Sequence, residues 1–262
     1  MSKWAYSTEG FGRSTWRIDG VETVVYEIGS GDPVVYFHGG GTYHGFEWAR
    51  DFAGSFRMIL PYHPNFGESG DAPFTSIADY IMHYEMLFAA MGLERFHLMG
   101  ASTGGHFAAR YAGAHRDEVD RLILNAPAGL VSENAALPDW ANIGHADTPQ
   151  YLVADPAWLA PYWPLEPGAE WQALRDREFQ AVLASREDLS ETHRLLHETL
   201  EGYDGPALLL WGEQDRTVPT GFIEDWQELL PKAEVAVIPG GGHLLLDESV
   251  EARRVAIEWL AL

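Results

Sequence analysis

The sequence of 262 residues contains no cysteine and only two lysines, Lys3 and Lys232. Without cysteine the chain has no disulfide bond, no thiol nucleophile and no cysteine-ligated metal, so serine is the default nucleophile for covalent catalysis. Long apolar runs are also missing: no stretch reaches the roughly eighteen residues of a membrane-spanning helix, and residues 1–10 lack the apolar core of a signal peptide. We therefore expect a cytoplasmic protein with no membrane partner.

Positive charge is scarce in this chain. It has 17 basic residues against 39 acidic residues, which gives a formal net charge of -22 at pH 7. A surface of this sign repels nucleic acid and anionic lipid, so neither is an expected partner, and a small-molecule substrate fits better. Hydrophobic residues make up 46% of the sequence, which is enough for one large α/β domain with an insertion.

Apolar runs separated by helical patterns indicate the fold class. Runs typical of strands lie at 14–19, 21–28, 34–37, 56–60, 94–99, 119–125, 207–211 and 235–238. Apolar residues at helical spacing lie at 76–92, 103–115 and 248–262. This alternation predicts an α/β fold with a mostly parallel central sheet flanked by helices.

The alternation is interrupted once, between residues 128 and 203. This segment has no apolar strand, and prolines punctuate short helical stretches that are rich in tryptophan and tyrosine. We interpret 128–203 as an inserted helical cap, and 1–127 together with 204–262 as the core. Six aromatic residues of the cap either line an apolar pocket over the sheet or hold the cap together: Trp140, Tyr151, Trp158, Tyr162, Trp163 and Trp171.

Four arginines follow in the second half of the same segment: Arg175, Arg177, Arg186 and Arg194. Their spacing is typical of a solvated helix face. The alternative is that one of them pairs with a substrate carboxylate inside an otherwise acidic protein.

The segment Gly100-Ala101-Ser102-Thr103-Gly104 lies at a change from a strand pattern to a helix pattern. A nucleophilic serine at such a turn adopts strained backbone angles that hold its hydroxyl clear of the sheet, and the residues two positions away must be small. Gly100 and Gly104 meet this requirement. Ser102 is therefore the candidate nucleophile.

A serine hydroxyl needs a base, and the base needs an acceptor that holds its tautomer. Asp215 follows the apolar run 207–211, and His243 follows the run 235–238 through a glycine-rich loop. Both residues are thus expected at the carboxyl edge of the sheet, where open parallel sheets bind ligands. Glu213 is a rival acid, which we expect to be a solvated loop side chain.

Other histidines of the chain offer an alternative site chemistry. Four of them are candidates for a metal cluster: His38, His44, His63 and His106. None has a zinc-type spacing such as H-E-x-x-H. We expect no metal. We expect His38 to have a positional role in its loop, and the other three side chains to be surface or packed residues.

The order serine, aspartate, histidine along almost the whole chain resembles the α/β-hydrolase superfamily. The resemblance implies a triad of Ser102, His243 and Asp215 and the α/β-hydrolase fold, with no cofactor. It also implies an oxyanion hole formed by the backbone N–H of Thr103 and by a backbone N–H from the loop after His38, for which Gly40 is the candidate.

The first interpretation of the chemistry is hydrolysis of an ester or lactone through an acyl-enzyme, because a serine nucleophile argues against relatives that attack with aspartate. The alternative is C–C bond hydrolysis of the meta-cleavage-product kind, because segments 38–41 and 124–125 of this chain resemble those enzymes. Ala101 stands where those enzymes usually have asparagine, and Leu244 where they often have tryptophan. An alternative of another class is a slow-turnover receptor, since fold alone does not prove turnover.

Overall fold

The computed structural model of the protein describes residues 6–185 and 189–262. Each apolar run predicted as a strand is a strand, with bounds shifted by no more than about two residues. The strands are β1 (Gly12–Ile18), β2 (Val21–Gly29), β3 (Asp32–Phe37), β4 (Phe56–Pro61), β5 (Phe96–Ala101), β6 (Val119–Asn125), β7 (Ala207–Gly212) and β8 (Glu234–Ile238).

Helices separate most of these strands. They are α1 (Ile77–Met91), α2 (Thr103–Ala114), α3 (Pro149–Leu152), α4 (Pro156–Leu159), α5 (Ala169–Ser185), α6 (Leu189–Leu200), α7 (Phe222–Leu229), α8 (Leu245–Glu248) and α9 (Val250–Leu260). Short 3₁₀ helices span Glu47–Asp51 and Trp140–Asn142.

The strands form one sheet in the order β1-β2-β4-β3-β5-β6-β7-β8. The pairs β1–β2 and β2–β4 are antiparallel, and every other neighbouring pair is parallel. The hairpin between β1 and β2 turns at Asp19 and Gly20, which both have positive φ angles (45° and 83°) as a tight primed turn requires. The predicted fold class, a mostly parallel sheet flanked by helices, is confirmed.

Both faces of the sheet are covered, which explains why the central strands are continuously apolar. Along β3, Val35 and Phe37 pack with α1 and α2 in one cluster. Their neighbours Val34 and Tyr36 pack with α9 in a second cluster on the opposite face. The alternation follows from the period of two residues in a strand.

Helix α1 has the boundaries that its sequence signals predict. Ser76 accepts a hydrogen bond from the backbone N–H of Asp79, whose carboxylate accepts from the backbone N–H of Ser76 in return. Gly92 ends the helix in the left-handed conformation.

Two predicted elements differ from the structure. The final helix expected over 248–262 is broken at Ser249, which caps α9 through its side chain after the short α8. Strand β8 lies at the edge of the sheet and is covered on one face only: Ile238 is buried there, whereas Val235 and Val237, which point to the other face, are exposed. Helix α7 has no counterpart in the sequence prediction.

The described residues of segment 128–203 contain no strand. Helices α3 and α5 lie beside the carboxyl edge of the sheet, and Leu159 of α4 packs with Tyr43 of the loop after β3. Helix α6 instead packs on α2, where Leu196 and Leu200 are buried in the main core cluster and Thr199 lies against Gly113. The exact division into core and cap stays a prediction. Within the described ranges, no helix combines the length and the apolar character needed to cross a bilayer.

Candidate active site

Ser102 occupies a strained turn between β5 and α2. Its backbone angles are φ 53° and ψ -121°, a conformation that L-residues rarely adopt. The turn is held by hydrogen bonds from Ser102 N to Asn125 O and from Ala128 N to Ser102 O, both 3.0 Å long. A Cβ atom at Gly100 would overlap the backbone of Gly104, and one at Gly104 would overlap the end of β3. The two glycines therefore allow the sharp turn that the sequence predicted.

His243 and Asp215 lie together at the carboxyl ends of β8 and β7. His243 Nδ1 lies 2.7 Å from Asp215 Oδ2, and the two side chains are 5% and 0% exposed. The other carboxylate oxygen, Oδ1, accepts hydrogen bonds from the backbone N–H groups of Thr217 (2.8 Å) and Val218 (2.9 Å). Because a carboxylate only accepts, the imidazole carries its proton on Nδ1 and presents Nε2 as the second ring nitrogen.

Glu213, the rival acid, points elsewhere. It is exposed, and its carboxylate accepts a hydrogen bond of 3.0 Å from the backbone N–H of Gly240. Asp215 is thus the carboxylate that orients His243.

A cavity of about 320 Å³ lies at this edge of the sheet. Ser102, His243, Gly40 and Thr103 all line it, so four of the five predicted site residues share one cavity, and the fifth, Asp215, is bonded to His243. The wall contributed by segment 128–203 is largely apolar: Leu137, Trp140, Ile143, Leu152, Trp163 and Phe179. The structure brings the predicted residues together, and their roles in catalysis stay predictions.

The loop after β3, which contains Gly40, is fixed by two histidines whose rings are in contact. The rings of His38 and His63 lie 3.8 Å apart. His38 Nε2 accepts from the backbone N–H of His63 (3.0 Å), and His63 Nε2 donates to the carbonyl of His38 (2.9 Å). Burial lowers the pKa of both imidazoles, that of His63 to about 3, so both rings are neutral. The two Nε2 atoms are therefore used in hydrogen bonds to the backbone that hold this loop in place.

A carboxylate from α5 also holds this loop. Glu178 is fully buried and accepts hydrogen bonds from Thr42 Oγ1, from the backbone N–H of Gly67 (3.2 Å) and from Arg175 Nη1 (2.7 Å). Arg175 Nη1 also lies 3.3 Å from the carbonyl oxygen of Gly40. Helix α5 is therefore tied to the candidate oxyanion loop by buried, charge-assisted hydrogen bonds.

The sequence profile of the α/β-hydrolase fold matches residues 32–166 and 160–250, which is most of the chain. The chain belongs to the α/β-hydrolase family. Lipase 1 of Psychrobacter immobilis is 25% identical over 240 residues, which cover 85% of this chain and 74% of the lipase. The 2-hydroxy-6-oxo-6-phenylhexa-2,4-dienoate hydrolase of Burkholderia cepacia is 24% identical over 266 residues, 90% of each chain.

The solved structures that resemble this α/β hydrolase include a meta-cleavage product hydrolase from Pseudomonas fluorescens IP01. The two chains superpose with a TM-score of 0.74 at 20% identity, over 96% of this chain and 98% of the other. At this identity the likeness shows the fold alone.

Two of the six aromatic residues singled out in segment 128–203 line the cavity of this α/β hydrolase, namely Trp140 and Trp163. The others hold the segment together. Trp171 Nε1 donates to the carbonyl of Tyr162 (3.1 Å), and the rings of Trp158 and Tyr162 pack 5.4 Å apart. Both interpretations of these residues thus apply, each to different members.

The four arginines also differ from one another. Arg194 lies on a solvated face, as its spacing predicted, and pairs with Glu191 and Glu198. Arg175 departs from that expectation because it lines the cavity and pairs with Glu178, and Arg177 donates to the carbonyls of residues 67 and 69. Arg186 lies outside the described residues.

Sequence reasoning missed one polar pair in the cavity wall. His44, expected to be an ordinary surface or packed residue, lies with its Nδ1 3.0 Å from Asp247 Oδ1, and both side chains line the cavity. The only signals available were the closeness of His44 to the loop at Gly40 and of Asp247 to His243. Within the described ranges, no group of three or more histidine and acidic side chains is arranged to hold a metal ion.

Proposed function

We propose that the protein is a serine hydrolase that cleaves an ester or a lactone of a small, largely apolar substrate through an acyl-enzyme. The observation that carries the proposal is the combination of a strained Ser102 with His243 in one cavity, where His243 is held by the buried Asp215. Strained backbone angles at a serine cost free energy, and a role of Ser102 as the nucleophile explains why the fold retains them.

In the proposed reaction, Ser102 Oγ attacks the substrate carbonyl carbon while His243 Nε2 accepts the hydroxyl proton. Asp215 stabilises the imidazolium. Collapse of the tetrahedral intermediate breaks the ester C–O bond, and the proton passes from Nε2 to the departing alcohol oxygen. Water then attacks the acyl carbon and gives a proton to Nε2. The bond between the acyl carbon and Ser102 Oγ breaks, the acid leaves, and the proton passes from Nε2 to Oγ, which restores Ser102 and His243.

The proposed oxyanion hole uses the backbone N–H of Thr103 and that of Gly40. Thr103 is the first residue of α2, where backbone N–H groups have no partner within the helix and the helix dipole favours negative charge. Each donor is expected to lower the barrier by about 3 kcal/mol. Glu178 and the pair of His38 and His63 support this role by fixing the loop that carries Gly40.

We further infer that segment 128–203 acts as a cap that sets the substrate range. Its apolar side chains cover one wall of the cavity. A cavity of this size suits a small molecule with an apolar body.

The second candidate is C–C bond hydrolysis, favoured by the relative from Burkholderia cepacia that matches 90% of each chain. Two residues favour ester chemistry: Ala101, before the nucleophile, replaces the asparagine usual in such enzymes, and Leu244, after His243, replaces a tryptophan that they often have. A dienol ketone substrate separates the two candidates.

Nitrophenyl esters from acetyl to dodecanoyl, a small lactone and a dienol ketone should be assayed with the wild type and Ser102→Ala. We expect Ser102→Ala to lower kcat/KM for esters by about three to six orders of magnitude with the melting temperature retained. Ester turnover that survives in a folded Ser102→Ala protein would refute the mechanism. Serine-dependent turnover of the dienol ketone alone would favour the second candidate.

A further inference from the structure

A second histidine–carboxylate pair lines the cavity that contains Ser102. Nδ1 of His44 lies 3.0 Å from Oδ1 of Asp247, and each side chain is only 7% exposed. The two residues are 203 positions apart in the chain, yet both lie on the cavity wall. The reaction proposed above uses neither of them.

The hydrogen bond with Asp247 determines which nitrogen of the His44 ring carries the proton. A carboxylate only accepts, so the proton of the imidazole lies on Nδ1 of His44. Nε2 has no hydrogen-bond partner among residues 6–185 and 189–262. In the uncharged ring, Nε2 is therefore the free acceptor of a side chain that is only 7% exposed and lines the cavity, and it is left for a ligand with an O–H or N–H group.

The charges around the pair disfavour an anionic ligand. Asp247 lies directly beside His44, and Asp247 and Asp215 both act on the nearby Glu248, whose pKa is raised mainly by burial. A substrate carboxylate at His44 would enter this group of acidic side chains and be repelled, because the cation on the same cavity wall, Arg175, is already paired with Glu178.

Tyr36 supplies the complementary donor. It lines the same cavity, and burial together with the charge of Asp247 raises the pKa of its phenol well above the ordinary value. The phenol therefore keeps its proton. The cavity wall thus carries an acceptor at His44 and a donor at Tyr36, and a neutral hydroxyl group, which both donates and accepts, matches this combination.

Much of the surrounding wall is apolar, including Trp163, Leu245 and Leu246. In such surroundings a ligand that lacks the hydroxyl leaves Nε2 of His44 without a partner, and a buried polar atom without a partner is costly. A site of this kind discriminates between ligands that differ by one hydroxyl group.

We propose that His44 and Asp247 form a hydroxyl-recognition subsite, and that the substrate class is esters or lactones with a free hydroxyl group in addition to the scissile bond. This inference rests on the proposed function, because the subsite is defined relative to reaction at Ser102. His44 is the recognition residue, and Asp247 positions its ring.

The test uses pairs of esters that differ by one hydroxyl. Nitrophenyl esters of ω-hydroxy acids and of the unsubstituted acids place the difference on the acyl side, and glycol monoesters and propyl esters place it on the alcohol side. In at least one series the wild type is expected to favour the hydroxylated member by about tenfold or more in kcat/KM.

Two variants of His44 separate recognition from structural support. His44→Asn keeps a donor near the position of Nδ1, so the contact with Asp247 survives while the acceptor at Nε2 is lost. It is expected to lower the hydroxyl preference, measured as the ratio of kcat/KM for the paired esters, to about one. His44→Gln places an amide oxygen near the position of Nε2 and is expected to keep part of the preference.

A wild-type preference near one in every series would overturn the subsite without any variant. So would a preference that His44→Asn leaves unchanged, or a His44-dependent preference for monoesters of dicarboxylic acids, which would indicate an anion site. The failures remain distinguishable: ester turnover that survives in Ser102→Ala refutes the proposed function, whereas serine-dependent turnover without hydroxyl preference refutes the subsite alone.

Discussion

Two carboxylates near the end of β7 differ sharply in their surroundings. Asp215 is buried and bonded to His243, while Glu213 is exposed and bonded to the backbone of Gly240. Only a carboxylate that accepts from Nδ1 of the histidine can hold the tautomer in which Nε2 is free to take a proton. Single substitutions of Asp215 and Glu213 therefore decide which carboxylate is the acid of the triad.

Asp215→Asn is expected to lower kcat/KM for esters on the order of 10⁴-fold. Thr217 and Val218 both donate to Oδ1, so the amide oxygen of asparagine takes that position and its NH₂ group faces His243. The imidazole proton is then driven to Nε2, which can no longer accept the proton of Ser102. Steady-state kinetics with a nitrophenyl ester measures the loss.

The matched control is Glu213→Gln, which removes an exposed carboxylate from the same loop and is expected to change kcat/KM by less than about twofold. If Glu213→Gln were the damaging change and Asp215→Asn the mild one, the acid of the triad would be Glu213.

Among the single residues of the site, those that the sequence predicted are the ones whose positions follow from the ends of strands. Ser102, Asp215 and His243 each come a few positions after a run that forms a strand, and parallel strands bring such positions to one edge. The positions of His44 and Asp247 do not follow from the ends of strands in this way. Their contact depends on how the loop after β3 folds against the short helix α8, and neither residue belongs to a motif that specifies a partner.

Helix α5 shows how an element can be placed by a charged residue. Its buried positions, Leu174, Glu178, Ala181 and Ser185, follow the spacing of a helix face, with a glutamate where an apolar side chain is usual. The carboxylate is compensated there by donors from Thr42, Gly67 and Arg175. The helix is thereby tied to the loop that carries the proposed oxyanion donor.

Glu178→Gln is expected to destabilise the protein by about 3 kcal/mol, because it leaves Arg175 without its counter-charge and sets an amide NH₂ group among donors. For a chain of this size the melting temperature should fall by about 6–12 °C. We also expect a lower kcat for esters with KM less affected, since the loop at Gly40 loses its support in the transition state.

Asp176→Asn serves as the control on the same helix, since Asp176 is exposed and bonded only to Gln172 within the described residues. It is expected to change the melting temperature by less than about 2 °C. Equal effects of the two substitutions would mean that the buried carboxylate does not anchor α5.

Elements with local signals were predictable, and elements defined by contacts were not. Helix α1 has its capping box and its terminal glycine within the segment itself. No local signal predicts that Arg175 faces the cavity, because α5 has charged side chains around most of its circumference. The rotation of α5 about its axis is set by the contacts of Glu178 with Thr42 and Gly67, which are distant in the chain. Exposure of β8 likewise depends on its place at the edge of the sheet.

The whole molecule combines an acidic surface with neutral histidines in its interior. Burial lowers the pKa of His63 and of His106 to about 3 and that of His83 to about 4. In the unfolded chain these rings take up protons as the pH falls through about 6.5, whereas the folded protein keeps them neutral. Stability is therefore lost on acidification between about pH 6.5 and pH 4, and each ring contributes up to about 1.4 kcal/mol per pH unit.

His106→Gln isolates one of these contributions, because the change leaves every carboxylate in place. Free energies of unfolding from urea titrations should run parallel in the wild type and the variant between about pH 7 and pH 8, where the ring is neutral in both states. Between about pH 6 and pH 5 the slope of the variant should be smaller by about 1.4 kcal/mol per pH unit. Parallel curves over that lower interval would mean that His106 is charged in the folded protein, and the acid sensitivity would then belong to the 39 acidic residues and to the other histidines.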